Sequence, residues 1–279
     1  MELVSVIMPC YNDGMYIKEA IASVQAQTYT NWELIIIDDG SDDEETVGII
    51  ESIKDERIAV LHTEHLRPAG ARNYGISHAK GKYILPVDSD DKIDPTYMEK
   101  AVQRIESDDK IGVVYCEADL FGEKSGKWDL PAYSFDKMLL DNVVFVTALF
   151  YKEDWEKLGG FNTNMKAGME DYDFWLGILG LGREIVQIPE ILFHYRIKPV
   201  SRTTGFQSDC TQMQEVYRQM YDNHKEFYDK YKEEYAKVLR DALIEQIAIR
   251  MKYEKTFEKI KKYYKMPIVG SILKRMIQK

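Results

Sequence analysis

The chain opens on a short apolar run, residues 3–8 (LVSVIM), that ends at Pro9. A β-branched run of this length, bounded by a breaker, reads as a buried strand. Residues 14–27 then place Ile17, Ile21 and Val24 on one face of a helix. The alternation continues. WELIIIDDGS (32–41) reads as a second strand running into an acidic turn, a helix follows around 44–54, and RIAVLHT (57–63) reads as a third strand. ARNYGISHAK (71–80) has a helical pattern and KYILPVD (82–88) is a fourth strand. Asp94-Pro95 starts a helix reaching about Ser107, with Asp94 a good N-cap candidate. IGVVYCEADLF (111–121) is a fifth strand.

Strands alternating with helices predict an α/β domain, a Rossmann-like and mostly parallel sheet with helices on both faces. In such sheets ligands sit beyond the carboxyl ends of the strands. The polar residues cluster at those ends: Tyr11 and Asn12, Asp38 and Asp39, then Asp88 to Asp91.

After about residue 120 the pattern loosens. FVTALFYK (145–152) reads as a strand, GMEDYDFWLGILGLG (168–182) as a loop entering an apolar helix, and REIVQIPEILFHYRI (183–197) as one or two strands. From Phe206 onward Tyr, Lys, Glu and Gln dominate, and two or three amphipathic helices are expected. The domains expected are therefore residues 1–205, carrying the sheet, and 206–279, a helical C-terminal extension with a basic tail.

Charge sharpens this picture. The 279 residues carry a formal net charge of −10, so nucleic acid is a poor default partner. Residues 251–279 run the other way, with eight Lys and one Arg against two Glu. Cys10, Cys116 and Cys210 lie far apart without metal or disulfide spacing, which fits a reducing, cytoplasmic location. The chain enters its first strand at once and holds no long apolar run, so neither a leader nor a membrane-spanning helix is expected.

The chemistry concentrates in ILPVDSDD (84–91), where a buried strand delivers carboxylates into a turn. Asp88 and Asp90 are two apart, so in extended geometry they project to one side. Two such carboxylates repel unless a cation stands between them, and Mg²⁺ or Mn²⁺ suits oxygen ligands that bridge to a diphosphate. The alternative is a solvated acidic turn leading into the next helix.

Four blocks in order carry a resemblance: VSVIMPCYND (4–13), ELIIIDDGSDDEE (33–45), PAGARNYGI (68–76) with ILPVDSDD, and GMEDYDFW (168–175). Together they resemble the family 2 glycosyltransferases with the GT-A fold, over roughly residues 3–203. The resemblance implies that Pro9 and Tyr11 line a base pocket, with Tyr11 stacking on the ring. It implies that Asp39 accepts a hydrogen bond from the base, most plausibly N3–H of uracil, and that Arg72 holds the base or the diphosphate. Asp88 would contact the ribose and assist the metal, Asp90 would be the direct Mn²⁺ or Mg²⁺ ligand, and Asp91 would lie near the donor sugar. Asp171 matches the family's general base, with Glu170 positioning sugar or acceptor. Trp175 is either an acceptor platform or core, and a Trp one turn into an apolar helix favours core.

One departure stands out. Many relatives follow the last helix with a Tyr-Arg segment and a nearby His that reaches the metal. Here the run is HYRIKPVSR, with Lys198 where such a His would fall and His194 ahead of the Tyr-Arg pair.

The function expected is metal-dependent transfer of a sugar from a nucleotide-diphosphate sugar, a UDP-sugar by the reading of Asp39, to a glycan or lipid-linked acceptor, with inversion. The basic tail suits peripheral contact with an anionic membrane, at its inner face. The Tyr-rich helices suit a homodimer surface. A sugar nucleotidyltransferase would need a Gly-rich, Lys-bearing loop after the first strand, and MPCYNDG is not one. A dehydrogenase would need G-x-G-x-x-G there, which is absent. An inactive sugar-binding module is opposed by the presence of Asp88, Asp90 and Asp171. A glycoside hydrolase also uses paired carboxylates, and dependence on a nucleotide sugar separates it from a transferase.

Overall fold

A computed structural model describes residues 1–199 and 210–264. Its first half follows the hydrophobic pattern closely. Strand β1 (Val4–Cys10), helix α1 (Gly14–Gln25), β2 (Trp32–Asp38), α2 (Glu44–Ser52), β3 (Ile58–His62), α3 (Arg67–His78) and β4 (Tyr83–Pro86) succeed one another. Then come β5 (Lys92–Ile93), α4 (Tyr97–Ile105), β6 (Ile111–Gly122), β7 (Gly126–Lys127), α5 (Phe135–Met138), β8 (Leu149–Tyr151), α6 (Lys152–Leu158), α7 (Glu170–Gly180) and β9 (Glu184–Ile197).

The strands form one sheet in the order β3-β2-β1-β4-β8-β6-β9-β5, with β7 pairing β6. The pairs β3–β2, β2–β1, β1–β4 and β6–β9 are parallel, and the antiparallel contacts span two residue pairs each. Strands β1, β2 and β4 are continuous apolar runs because parallel strands are covered on both faces. Val6, Ile7, Leu34, Ile36, Ile84 and Leu85 are all fully buried.

Helix α3 lies very close to this sheet. A Cβ at Gly75 would meet Ile37 Cδ1 at 2.5 Å and Ile7 Cγ2 at 3.0 Å. Glycine there lets the helix backbone approach the strands.

Differences from the sequence reading are local. Asp94 does not cap α4, which begins at Tyr97; its Oδ1 instead accepts from the Thr96 N–H at 2.9 Å and hydroxyl at 2.8 Å. Pro95 makes that tight Asx turn natural. The strand expected over 145–152 shrinks to the three residues of β8, and REIVQIPEILFHYRI is a single strand that bulges against β6.

Residues 210–264 form three helices, α8 (Cys210–Asn223), α9 (Lys225–Lys230) and α10 (Lys232–Tyr264). The boundary expected at 205/206 falls outside the described residues. Contacts divide the chain after Lys230, so α8 and α9 belong with the sheet and bury Val216, Met220, Phe227 and Tyr228. The second unit contains α10, which exposes Leu239, Leu243 and Ile247. Most of the basic tail, past Tyr264, also lies outside the described residues. Among the described residues no helix is long and apolar enough to cross a membrane.

Candidate active site

Strands β2, β1 and β4 are neighbours and parallel, so their carboxyl ends open on one edge. Asp39 N donates to Cys10 O at 2.9 Å and Val87 N to Ile7 O at 2.9 Å, which ties the three ends together. Asp38 and Asp39, Tyr11 to Asp13, and Asp88 to Asp91 therefore share this edge.

Asp39 is buried and shapes a loop. Its Oδ1 accepts from the Thr63 hydroxyl at 2.7 Å and Leu66 N at 2.6 Å, and its Oδ2 accepts from Arg67 N at 2.8 Å. His65 and Arg67 hold positive φ in that loop, a conformation the carboxylate bonds support. Tyr11 stands 44% exposed at the rim, edge-on to His65 with ring centroids 4.7 Å apart. Pro9 is half-buried beside them in β1.

Arg72 joins two of the predicted blocks. It is buried in α3, and its NH2 reaches Asp88 Oδ1 at 2.7 Å and Oδ2 at 3.0 Å. Its NH1 reaches Glu170 Oε1 at 2.9 Å. Burial alone would lower the guanidinium pKa, but Asp88 and Glu170 outweigh it and raise the pKa above its ordinary value. Glu170 and Asp171 open α7 after Met169, which sits at φ 68°, and acids in a first turn favour the helix dipole. Asp171 is half-buried; its Oδ2 accepts from Asn142 Nδ2 at 3.0 Å.

The other two acids of the β4 turn face β9. Asp91 is buried and accepts Arg196 N at 2.8 Å, while Arg196 Nε donates to Asp90 O at 2.7 Å. Burial pushes the carboxyl of Asp91 well above the usual range, and the charges of Asp90 and Asp88 add to this. Asp90 is pushed up for the same first reason, with Asp88 adding and Lys198 opposing. Lys198 Nζ lies 2.6 Å from Asp90 Oδ2 and 3.1 Å from Asp13 Oδ1, and Asp13 Oδ2 accepts from Ser89 Oγ at 2.7 Å.

The structure thus brings Arg72, Asp88, Glu170 and their neighbours Asp90, Asp91 and Asp171 into one site. Asp13 and Asn142 join it, and sequence reasoning missed both. Asp13 sits three residues past the end of β1, a position that could have flagged it; Asn142 lies in an irregular stretch with no pattern to read. Trp175 is fully buried, with Nε1 donating to Val144 O, so it is core and not a platform. His194 lies within β9 and its Nδ1 meets Asp119 Oδ1 at 2.6 Å. A different aromatic is placed openly: half-buried Trp128 stacks on Tyr195 with centroids 4.7 Å apart and on Phe145 at 6.1 Å.

The model of the family described as "Glycosyl transferase family 2" matches residues 5–177. The chain belongs to this family. It is a glycosyltransferase with the GT-A fold. An uncharacterized glycosyltransferase of Rickettsia prowazekii is 30% identical over 227 residues, 77% of this chain and 68% of that one. Among solved structures, S. aureus TarS 1–349 in complex with UDP-GlcNAc superposes with a TM-score of 0.66 at 19% identity, covering 80% of this chain and 66% of that one. The mannosyltransferase PcManGT from Pyrobaculum calidifontis, in complex with GDP-Man and Mn²⁺, gives 0.59 at 20% identity over 86% of this glycosyltransferase and 75% of that chain.

The expected Mn²⁺ or Mg²⁺ site meets a particular arrangement here. Asp88 is taken by the fork of Arg72, and Asp90 by the ammonium of Lys198. Among the described residues no group of three or more His, Cys, Asp or Glu is gathered so as to hold a metal ion. The donor set as arranged does not fit a divalent cation.

Proposed function

We propose that this glycosyltransferase moves a sugar from a UDP-sugar to a hydroxyl of a glycan or lipid-linked saccharide, inverting the anomeric centre. One observation carries the reading. Arg72 clamps Asp88, at the end of β4, to Glu170, in the first turn of α7, and so sets Asp171 beside the strand-end acids. In this reading a base and a nucleotide edge share one site. The complexes of TarS with UDP-GlcNAc and of PcManGT with GDP-Man support a nucleotide-sugar donor.

The base pocket in this reading is Tyr11, Pro9 and Asp39, with the exposed ring of Tyr11 stacking on the uracil. A carboxylate accepts about four hydrogen bonds, and three at Asp39 go to the 63–67 loop. One place remains on Oδ2 for the uracil N3–H. Asp88 takes the ribose, and Asp91 lies toward the donor sugar.

Asp171 is the general base. It takes the proton of the acceptor hydroxyl as that oxygen attacks C1; the bond from C1 to the diphosphate oxygen breaks, and its electron pair leaves with the diphosphate. One displacement gives inversion. The acceptor approaches past Trp128, whose half-buried ring suits contact with a saccharide. Exposed Leu239, Leu243 and Ile247 of α10 are the surface assigned to a second copy.

Titration calorimetry with UDP, GDP and dTDP tests the donor class, followed by a screen of UDP-sugars for UDP release. Binding of UDP ahead of the others is expected. Failure of all three to bind would overturn the reading, and a product linkage of retained configuration by NMR would overturn the single displacement.

A further inference from the structure

The carboxylate that the sequence nominates for a metal already faces a cation, and the fold explains why. Strand β8 is antiparallel to both β4 and β6, and β6 is parallel to β9. Strands β4 and β9 therefore point the same way. Lys198 directly follows β9, which ends at Ile197, so it emerges at the sheet edge where Asp88 to Asp91 follow β4. Arg196 and Lys198 are two apart in extended chain and project to one side. Arg196 uses its backbone N–H on Asp91 and its Nε on the carbonyl of Asp90. Lys198 takes the Asp90 carboxylate itself, together with Asp13.

A diphosphate cannot approach Asp13, Asp88, Asp90 and Asp91 unless their charge is met. Arg72 meets Asp88 from the buried side. A small divalent ion bound to Asp90 Oδ2 at about 2.1 Å would lie within about 5 Å of the ammonium, a like-charge contact that disfavours it. An ammonium has three donors, and its partners among the described residues use two.

We propose that Lys198 is the resident cation of the donor site: its ammonium pairs with Asp90 and Asp13 and donates to the diphosphate, in the place a divalent ion would take. This rests on the nucleotide-sugar reading above. It deepens that reading by making donor binding and turnover independent of added metal.

The test uses the full chain and UDP as probe, in EDTA and in Mn²⁺, with electron paramagnetic resonance following free Mn²⁺. Wild type is expected to bind UDP in EDTA, with a Kd that Mn²⁺ changes by less than about twofold, and to lower the free Mn²⁺ signal no further than UDP alone does. Lys198→Met should weaken UDP in EDTA by about tenfold or more, the loss of one charge-assisted hydrogen bond and its charge. Lys198→Arg keeps the charge and should bind in EDTA within about fivefold of wild type, which separates a charge effect from misfolding of the Met variant. Lys198→His should capture Mn²⁺ together with UDP. Wild-type binding that needs Mn²⁺ and lowers its free signal beyond the effect of UDP alone would overturn the proposal, as would a Lys198→Met variant that binds UDP in EDTA as tightly as wild type. If UDP, GDP and dTDP all fail to bind wild type in both buffers, the nucleotide reading itself falls, and this proposal with it.

Discussion

Asn142 and Asp171 meet across the site: the side-chain amide donates to Asp171 Oδ2 at 3.0 Å, and Asn142 is itself fixed by the Val144 N–H, 3.0 Å from its Oδ1. A donor on one oxygen orients the carboxylate. Asp171→Asn should lower kcat by about 10²- to 10⁴-fold, the range for a lost general base, while UDP affinity is unchanged. Asn142→Ala should lower kcat by about tenfold or more, the scale of one hydrogen bond to a charged carboxylate. Turnover and calorimetry on the same preparations check both; a fall in UDP affinity with Asp171→Asn would refute its assignment as base.

Arg72 is a structural hinge as well as a site residue. Arg72→Met leaves Glu170 and Asp88 without their cation, and breaking a buried pair costs about 3–5 kcal/mol. The lower end is expected, because the Asp88 side chain is 31% exposed. Denaturant unfolding of Arg72→Met and Arg72→Lys measures this. The Lys variant keeps charge but not the fork, and should fall between wild type and Met.

Gly75→Ala tests the approach of α3 to the sheet. The added methyl would press on Ile37 and Ile7, both fully buried, at a cost of about 1–3 kcal/mol. Since α3 carries Arg72, activity should fall alongside the denaturation midpoint.

Burial raises the thiol of Cys10 to about 12 and pushes Cys116 up as well, whereas Cys210 is exposed. A thiol reagent near pH 8 should therefore modify Cys210 alone in the folded protein and all three cysteines in denaturant. The sign for stability follows. The unfolded thiols ionise near about 8.5 and the folded ones later, so this contribution is intact below that pH and is lost progressively toward about 12. Unfolding free energies across alkaline pH, compared with Cys10→Ser, measure it.

Trp128→Ala should raise the acceptor KM by about tenfold or less, the scale of one aromatic contact, with UDP binding unchanged. An unchanged acceptor KM would remove Trp128 from the acceptor path.

The continuous apolar runs of β1, β2 and β4 made the parallel half of the sheet readable, because burial on both faces suppresses alternation. The acids after each run followed at once as strand-end residues. Strand β5 was not readable, because two residues carry no period, and β8 was read too long, because its three residues are set by the strands that offer partners and not by the apolar run around them. Lys198 was visible as a departure from a motif, yet its partner was not. Which carboxylate it meets depends on β8 reversing direction between β4 and β6, a three-dimensional relation with no local signature. Asp39 was read as a ligand-facing acid, while its three loop bonds come from residues that show no pattern of their own.

Those three bonds have a thermodynamic consequence. The 63–67 loop is fastened to the end of β2 before any ligand arrives, with its left-handed residues already set. An incoming base meets a preorganised wall and loses no affinity to ordering it. Selectivity among bases then resides in what that rigid wall excludes, so exchanging His65 or Tyr11 should retune it more readily than lengthening the loop.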